Sequence, residues 1–531
     1  MANVTLTALF SNLNDWPGRL FEARGDEIFL VRTATTFAFR FGPSHNFAGF
    51  SITATGSGFG YLAGDPVIGT MTALTIRNAL GQVVLTVAGL TGLASQLSQI
   101  MSDIFGSALP DAGSGPDPTG AWSHLLSSND TIFGTAGDDR QGFPGVDVGN
   151  DTYLLGAGDD VVHGGIGNDS YNGGIGYDEL SFRQTTYGEG WAAFRGVTVN
   201  VMTGIVQDCW GGTDRFTGFE AFGLSRFNDA FAGHTTEEDN IKGLRGNDVI
   251  DGGANTFDAL GNLLDDRQDR VQYGDDYWQG GRFGIVANLQ VAILNGSIRG
   301  TVRDGFGNVD TVYDIERVDG TRFADLIVGS SVDNVMRGYE GRDTFNGGAG
   351  FDALDLRTAT MGTAPIGVNV NLALATGQII NDGFGNTETA LGFEGLRGSD
   401  AADIFRGNAL ANHFEGRGGS DTLAGQGGQD TFIFIRQDET IGAVDRILDF
   451  AATGAGIDQV AFQIANWTNM TTTLRLVNGL AATTVFGTFL FDAVSDQLIW
   501  DANGTGAGER TIIAVLPNVA ALTAANFELW T

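Results

Sequence analysis

From residue 151 onward, aspartates fall nine residues apart: Asp151, Asp160, Asp169 and Asp178. Two positions after each stands an apolar residue: Tyr153, Val162, Tyr171 and Leu180. A fixed short period of this kind describes stacked units that cannot bury an apolar face alone. The register returns three times: Asp239 and Asp248 precede Ile241 and Ile250; Asp325, Asn334, Asp343 and Asp352 precede Ile327, Met336, Phe345 and Leu354; and Asp403, Asn412, Asp421 and Asp430 precede Phe405, Phe414, Leu423 and Phe432. Asp130 and Asp139 extend the first array upstream after a three-residue insertion, with Gln141 in the apolar position. A glycine-rich acidic linker has no reason to keep an apolar residue in step with its aspartates.

Each nonapeptide has a mechanical reading. Its glycines allow a tight turn whose carbonyls point inward, the aspartate adds a hard anionic oxygen, and the alternating tail, such as Asp169-Ser170-Tyr171-Asn172, forms a short strand with one side chain inward. Stacked turns would offer the roughly six to eight oxygens that Ca²⁺ takes. Magnesium demands a tighter octahedron, and zinc wants His or Cys, which do not recur in the pattern. Candidate calcium ligands in the first array are Asp139, Asp151, Asp160, Asp169 and Asp178, with turn glycines Gly156, Gly158, Gly165, Gly167, Gly174 and Gly176. The second array offers Asp239, Asp248 and Gly246, and the third Asp325, Asp343, Asp352, Gly348 and Gly350. The fourth offers Asp403, Asp421, Asp430 and Gly428. Asn334 and Asn412 supply only a neutral oxygen and mark weaker sites.

The copies Gly164 to Asp169 and Gly173 to Asp178 match the motif G-G-x-G-x-D-x-U-x in full. In this the chain resembles the hemolysin-type calcium-binding (RTX) repeat proteins of bacteria. The resemblance implies an all-β fold, a parallel β-roll or β-helix solenoid, holding multiple Ca²⁺ as cofactor. It also implies secretion by a type I system.

A longer period overlies the short one. GVTVNVMTG from Gly196, GIVANLQVAILNG from Gly284 and GVNVNLALATG from Gly367 are versions of one strand-turn segment. Each leads through an acidic Gly-rich loop to Phe219-Glu220, Ile315-Glu316 or Phe393-Glu394. The spacing predicts RTX arrays at 127–182, 227–258, 323–356 and 401–436, joined by strand-rich connectors at 183–226, 259–322 and 357–400. About eighteen residues per coil would give a rod of order 80 Å at strand spacings of about 4.8 Å.

Residues 1–110 read as a β-rich domain, from the alternation in TTFAFRFG, FAGFSITATGSGFGYLAG and GTMTALTIRNALGQVVLTVAGL, with one helix over Leu93–Phe105. Residues 111–126 are a linker. Residues 437–531 form a β cap and resemble the carboxyl-terminal type I secretion signal that follows such arrays. Asp501-Ala-Asn503-Gly-Thr505-Gly506 partly resembles an EF-hand loop, but the expected Glu is missing, and a β-turn is the better reading.

Charge narrows the partners. With 63 Asp+Glu against 29 Lys+Arg, the net charge of −34 excludes nucleic acid and repels acidic membranes. The 42% hydrophobic content supports a core. A single Cys209 gives no internal disulfide. The first twenty residues lack a basic start and apolar run, so no amino-terminal leader is expected, and no apolar stretch reaches eighteen. Neither H-E-x-x-H nor G-x-S-x-G occurs, and His45, His124, His163, His234 and His413 are scattered. His163 and His413 are expected at the surface or rim.

The reading is therefore a non-enzymatic, secreted, calcium-dependent structural protein: a surface-layer, matrix, filament or adhesion subunit. Expected partners are Ca²⁺, other copies through the amino-terminal domain, a cell-surface or matrix glycan, and the type I machinery. The alternative is a polysaccharide-active epimerase or lyase, or a glycan-binding module, carried on the repeats.

Overall fold

The computed structural model describes residues 3–6, 27–32, 36–41, 51–62, 65–77, 83–88, 131–133, 138, 149–183, 193–235, 237–253, 268–294, 297–357, 366–435, 443–505 and 510–530. Among them there is no α-helix, only short 3₁₀ turns between strands. The chain divides into two units, Met1–Gly253 and Ala254–Thr531.

In the first unit, the expected amino-terminal alternation forms an antiparallel meander. Glu27–Arg32, Thr36–Phe41, Ser51–Leu62, Asp65–Arg77 and Val83–Ala88 pair in chain order. Asn3–Leu6 then lies antiparallel to Val83–Ala88 and parallel to Thr131–Phe133, joining the meander to the edge of the repeats. The helix expected over Leu93–Phe105, and the linker, fall outside the described residues.

The first array winds as its register requires. Ser170–Ile175 stacks parallel on Thr152–Ala157, and Glu179–Ser181 on Val161–His163, each offset by eighteen residues. One coil is thus two nonapeptides, each supplying one strand to one of two facing sheets. The apolar residue behind each aspartate points between them: Tyr153, Val162, Tyr171 and Leu180 are at most 1% exposed. The rings of Tyr153 and Tyr171 stack with centroids 4.9 Å apart. The first connector continues the coil. Thr213–Thr217 adds in parallel to Ser170–Ile175, while Ala221–Gly223 adds to Glu179–Ser181. An inserted hairpin, Thr198–Asn200 with Ile205–Gln207, gives the first face two strands more than the other before Ala230–Ala232 resumes the roll.

The second unit repeats this plan. One face is a parallel run from Arg270–Gln272 through Arg317–Asp319, Val335–Arg337, Ala353–Asp355, Gly395–Arg397, His413–Glu415, Thr431–Phe434 and Gln459–Gln463 to Phe527–Trp530. Ile327, Met336, Phe345, Leu354, Phe405, Phe414, Leu423 and Phe432 are all buried between the faces. At the carboxyl end, Thr488–Asp492, Gln497–Asp501 and Arg510–Val515 form an antiparallel meander over Phe462, Trp467 and Phe489. The Asp501 segment is a turn, with Asp501 ion-paired to Arg510 at 2.8 Å.

Candidate metal centre

Two ladders of carboxylates run along the edges of the roll. On one edge, the Asp169 Oδ1 accepts the backbone N–H of Asp151 at 2.8 Å. Asp214 does the same for Asp169 at 2.9 Å. On the other, Asp178 accepts from Asp160, and Glu220 from Asp178, both at 2.8 Å. In the second unit Asp343 accepts from Asp325, Asp352 from Asn334, Asp421 from Asp403, and Asp430 from Asn412, all at 2.8 Å. Asp169, Asp178, Asp343, Asp352, Asp421 and Asp430 thus each spend one oxygen on the coil eighteen residues before them.

The second oxygen decides whether a carboxylate is open to a cation. The Oδ2 atoms of Asp178, Asp343, Asp352 and Asp421 are buried and accept no hydrogen bond. They lie beside the first glycine of their own repeats, Gly173, Gly338, Gly347 and Gly416. The Gly218 carbonyl borders the same space at Gly173, and the Gly392 carbonyl does so at Gly347. At Gly173 and Gly347 an anionic and a carbonyl oxygen therefore border one space, and the carboxylate oxygen has no protein donor, an arrangement that suits a hard cation.

Electrostatics point the same way. Burial, then the neighbouring Asp325 and Glu388, pushes the Asp343 carboxyl up to about 9. Burial and then Asp445 push Asp421 to about 9, and burial alone is the main cause for Asp352 at about 7 and Asp178 at about 6. In the absence of metal Asp343 and Asp421 therefore hold their protons at neutral pH. No three carboxylate, imidazole or thiol groups among the described residues converge into a cluster by themselves, so turn carbonyls must share the coordination.

The expected glycines Gly156, Gly158, Gly165, Gly167, Gly174, Gly176, Gly246, Gly348, Gly350 and Gly428 all lie in the turns or at strand ends beside them. Gly174 shows why the residue is needed: its φ is 112° and a Cβ would run into the Gly156 carbonyl of the preceding coil. Asp151, Asp160 and Asp248 are buried on the same ladders. Asp139 lies outside the described residues.

Other expected ligands are already engaged. Asp325 accepts from Thr321 N–H, Thr321 Oγ1 and Ile285 N–H at 2.6–2.9 Å, and Asp403 is filled likewise by Ser399 and Val368. Asp169 gives its second oxygen to the Tyr171 hydroxyl, and Asp239 is held by His234. Spacing alone did not separate these from the open carboxylates.

The two asparagines show the converse. The Nδ2 groups of Asn334 and Asn412 donate to the carbonyls of Glu316 and Glu394, eighteen residues earlier, at 3.2 and 3.4 Å. The amide hydrogen occupies the gap that a carboxylate leaves to a cation. Asn412→Asp is therefore expected to lower the melting temperature in chelator and raise the calcium count at equilibrium dialysis. An unchanged count would contradict this role.

Sequence reasoning missed the acidic residues that carry the ladders through the connectors: Asp214, Glu220, Glu388, Glu394 and Glu316. The signal for Glu220, Glu316 and Glu394 was the recurring apolar-Glu pair, and for Asp214 and Glu388 the acidic Gly-rich loop before it. His163, expected at the surface or rim, is 9% exposed, and burial followed by the Arg183 charge lowers it to about 4. His413 is partly buried and packs against Phe351 at 4.4 Å.

Two sheets wound from nine-residue units, edged with open carboxylates, define a calcium-binding β-roll. The family described as RTX calcium-binding nonapeptide repeat (4 copies) matches residues 126–140, 147–180, 235–256, 319–354 and 397–432. The chain carries these repeats, and such repeats bind multiple calcium ions. No curated protein matches the chain.

Proposed function

We infer that this is a secreted structural protein whose roll is completed by external Ca²⁺, serving as a surface-layer, matrix, filament or adhesion subunit. The observation that carries the calcium step is the set of buried second oxygens on Asp178, Asp343, Asp352 and Asp421. These four residues, with carbonyls of the adjoining turns, are assigned as ligands, and Asp151, Asp160, Asp248 and Asp430 extend the assignment along the ladders. Asp325 and Asp403 are assigned instead to bracing the connectors. Bound calcium supplies positive charge between coils, so that the carboxylates stay ionised at neutral pH.

The absence of catalytic motifs and the uniform repeat favour a structural role over an enzymatic one. No described helix is long and apolar enough to cross a membrane. The expected domain boundaries, the type I signal in 437–531 and self-association through 1–110 are part of this proposal. Electron microscopy of the purified chain should show ordered sheets or fibres in millimolar Ca²⁺ that disperse in chelator. Particles that stay single in both conditions would defeat the assembly role.

A glycan-binding role has one observation in its favour. A cleft of about 670 Å³ in the second unit is lined by Phe351 and His413 beside Asp355, Arg397 and Glu415. An aromatic surface next to ionic groups suits a sugar ring. Calcium-dependent retention on an acidic polysaccharide without self-assembly would favour that reading.

A further inference from the structure

The first connector contains acidic groups that the nonapeptide pattern does not assign. After the strand Ile205–Gln207, Asp208 turns the chain, and its Oδ1 accepts the N–H groups of Trp210, Gly211 and Gly212 at 2.5–2.9 Å. Its Oδ2 is buried and accepts nothing. Asp214, six residues on, spends Oδ1 on Asp169 N–H and also leaves a buried Oδ2 without a partner. Both side chains are 0% exposed. The Asp208 Oδ2 and the carbonyl of Gly167, from the first array, border the same space beside Gly212, where any Cβ would strike the carbonyl.

Two buried carboxylate oxygens and a carbonyl with no donor among them form a hard-cation set. Asp169 is not available to it, because its oxygens go to Asp151 N–H and the Tyr171 hydroxyl. We propose that Asp208, Asp214 and the Gly167 carbonyl bind a Ca²⁺ at the junction of the first array and its connector, outside the nonapeptide sites. Water fills the remaining coordination positions, as calcium allows. The site would pin the inserted hairpin to the coil and so hold the roll in register where the repeat is broken. It rests on the calcium-binding reading above but uses two carboxylates, Asp208 and Asp214, that lie outside the repeats.

Trp210, two residues from Asp208, provides a direct reporter. Terbium binds oxygen sites of this kind and emits when a neighbouring indole is excited at about 295 nm, with calcium as competitor. In the wild-type chain that emission should be present and be displaced by calcium. Asp208→Asn/Asp214→Asn keeps both hydrogen-bond acceptors and removes both charges. It should cut the emission by more than half and lower the calcium count by about one ion per chain. Trp210→Phe should cut the emission while leaving the count unchanged. Asp178→Asn, on the other edge, should lower the count and spare the emission. Wild-type emission and count in the double variant would overturn the junction site. If that variant fails to fold, undiminished emission in Trp210→Phe overturns it instead. A wild-type chain that binds no calcium at all would overturn the proposed function, which keeps the two failures apart.

Discussion

Transfer from millimolar calcium chloride to excess EGTA at neutral pH is expected to remove most of the far-ultraviolet strand signal, and restoring calcium to return it. Four buried carboxylates, Asp178, Asp343, Asp352 and Asp421, each leave one oxygen without a donor. A site loaded at a hundred times its Kd adds about 2.7 kcal/mol to the folded state. Four such sites add about 11 kcal/mol, comparable to the about 5–15 kcal/mol that holds an ordinary domain together. The narrow core compounds the dependence, since each coil buries only about one side chain per nonapeptide. Circular dichroism with thermal melts in both buffers measures the effect. Identical spectra and midpoints would show that the cation is not part of the fold.

Acid should act in opposite directions with and without metal. In the folded chain, burial and neighbouring carboxylates raise Asp343 and Asp421 to about 9, Asp352 to about 7 and Asp178 to about 6, from an unfolded value of 3.8. The metal-free fold therefore binds more protons than the unfolded chain between those limits, and its stability falls as pH rises from about 4 towards 7–9. In EGTA, the melting temperature should be higher at pH 5 than at pH 8. In calcium the order reverses, because the ion must displace those protons. Apparent calcium affinity at pH 5.5 should be weaker than at pH 7.5 by about tenfold or more. Proton release on calcium addition, followed with an indicator dye at pH 7, gives an independent reading. Affinity that is flat across this range would mean that the ligands are not these carboxyls.

The main lines of the roll were legible in the residues. Tyr171 and Leu180 stand in a register only two facing sheets can satisfy, and both are buried. The aspartate spacing located the ladders, because one coil is two repeats. What the spacing could not reveal was which oxygens were already used. Asp325 and Asp343 have the same place in the period. A threonine four residues before Asp325 and the N–H of Ile285, from a distant segment, fill that carboxylate, while the second oxygen of Asp343 has no donor. The difference is a local hydroxyl plus a long-range contact, and only the second needs the fold to be seen. The connectors were harder still: Asp214 follows the last matching aspartate, Asp169 on its edge, by 45 residues yet sits next to it in space.

The buried backbone-to-carboxylate bonds of the two ladders point one way along the chain. On these ladders the backbone N–H of one repeat position is received by a carboxylate further along the chain, and the last receivers, Asp445 and Asp458, follow the fourth array and serve Asp421 and Asp430. The roll therefore has a polarity like that of shingles on a roof, each course pinned by the one laid over it. Shortening the chain from the carboxyl end strips these buried pins from the course beneath, whereas shortening it from the other end leaves the buried pins of the remaining courses in place.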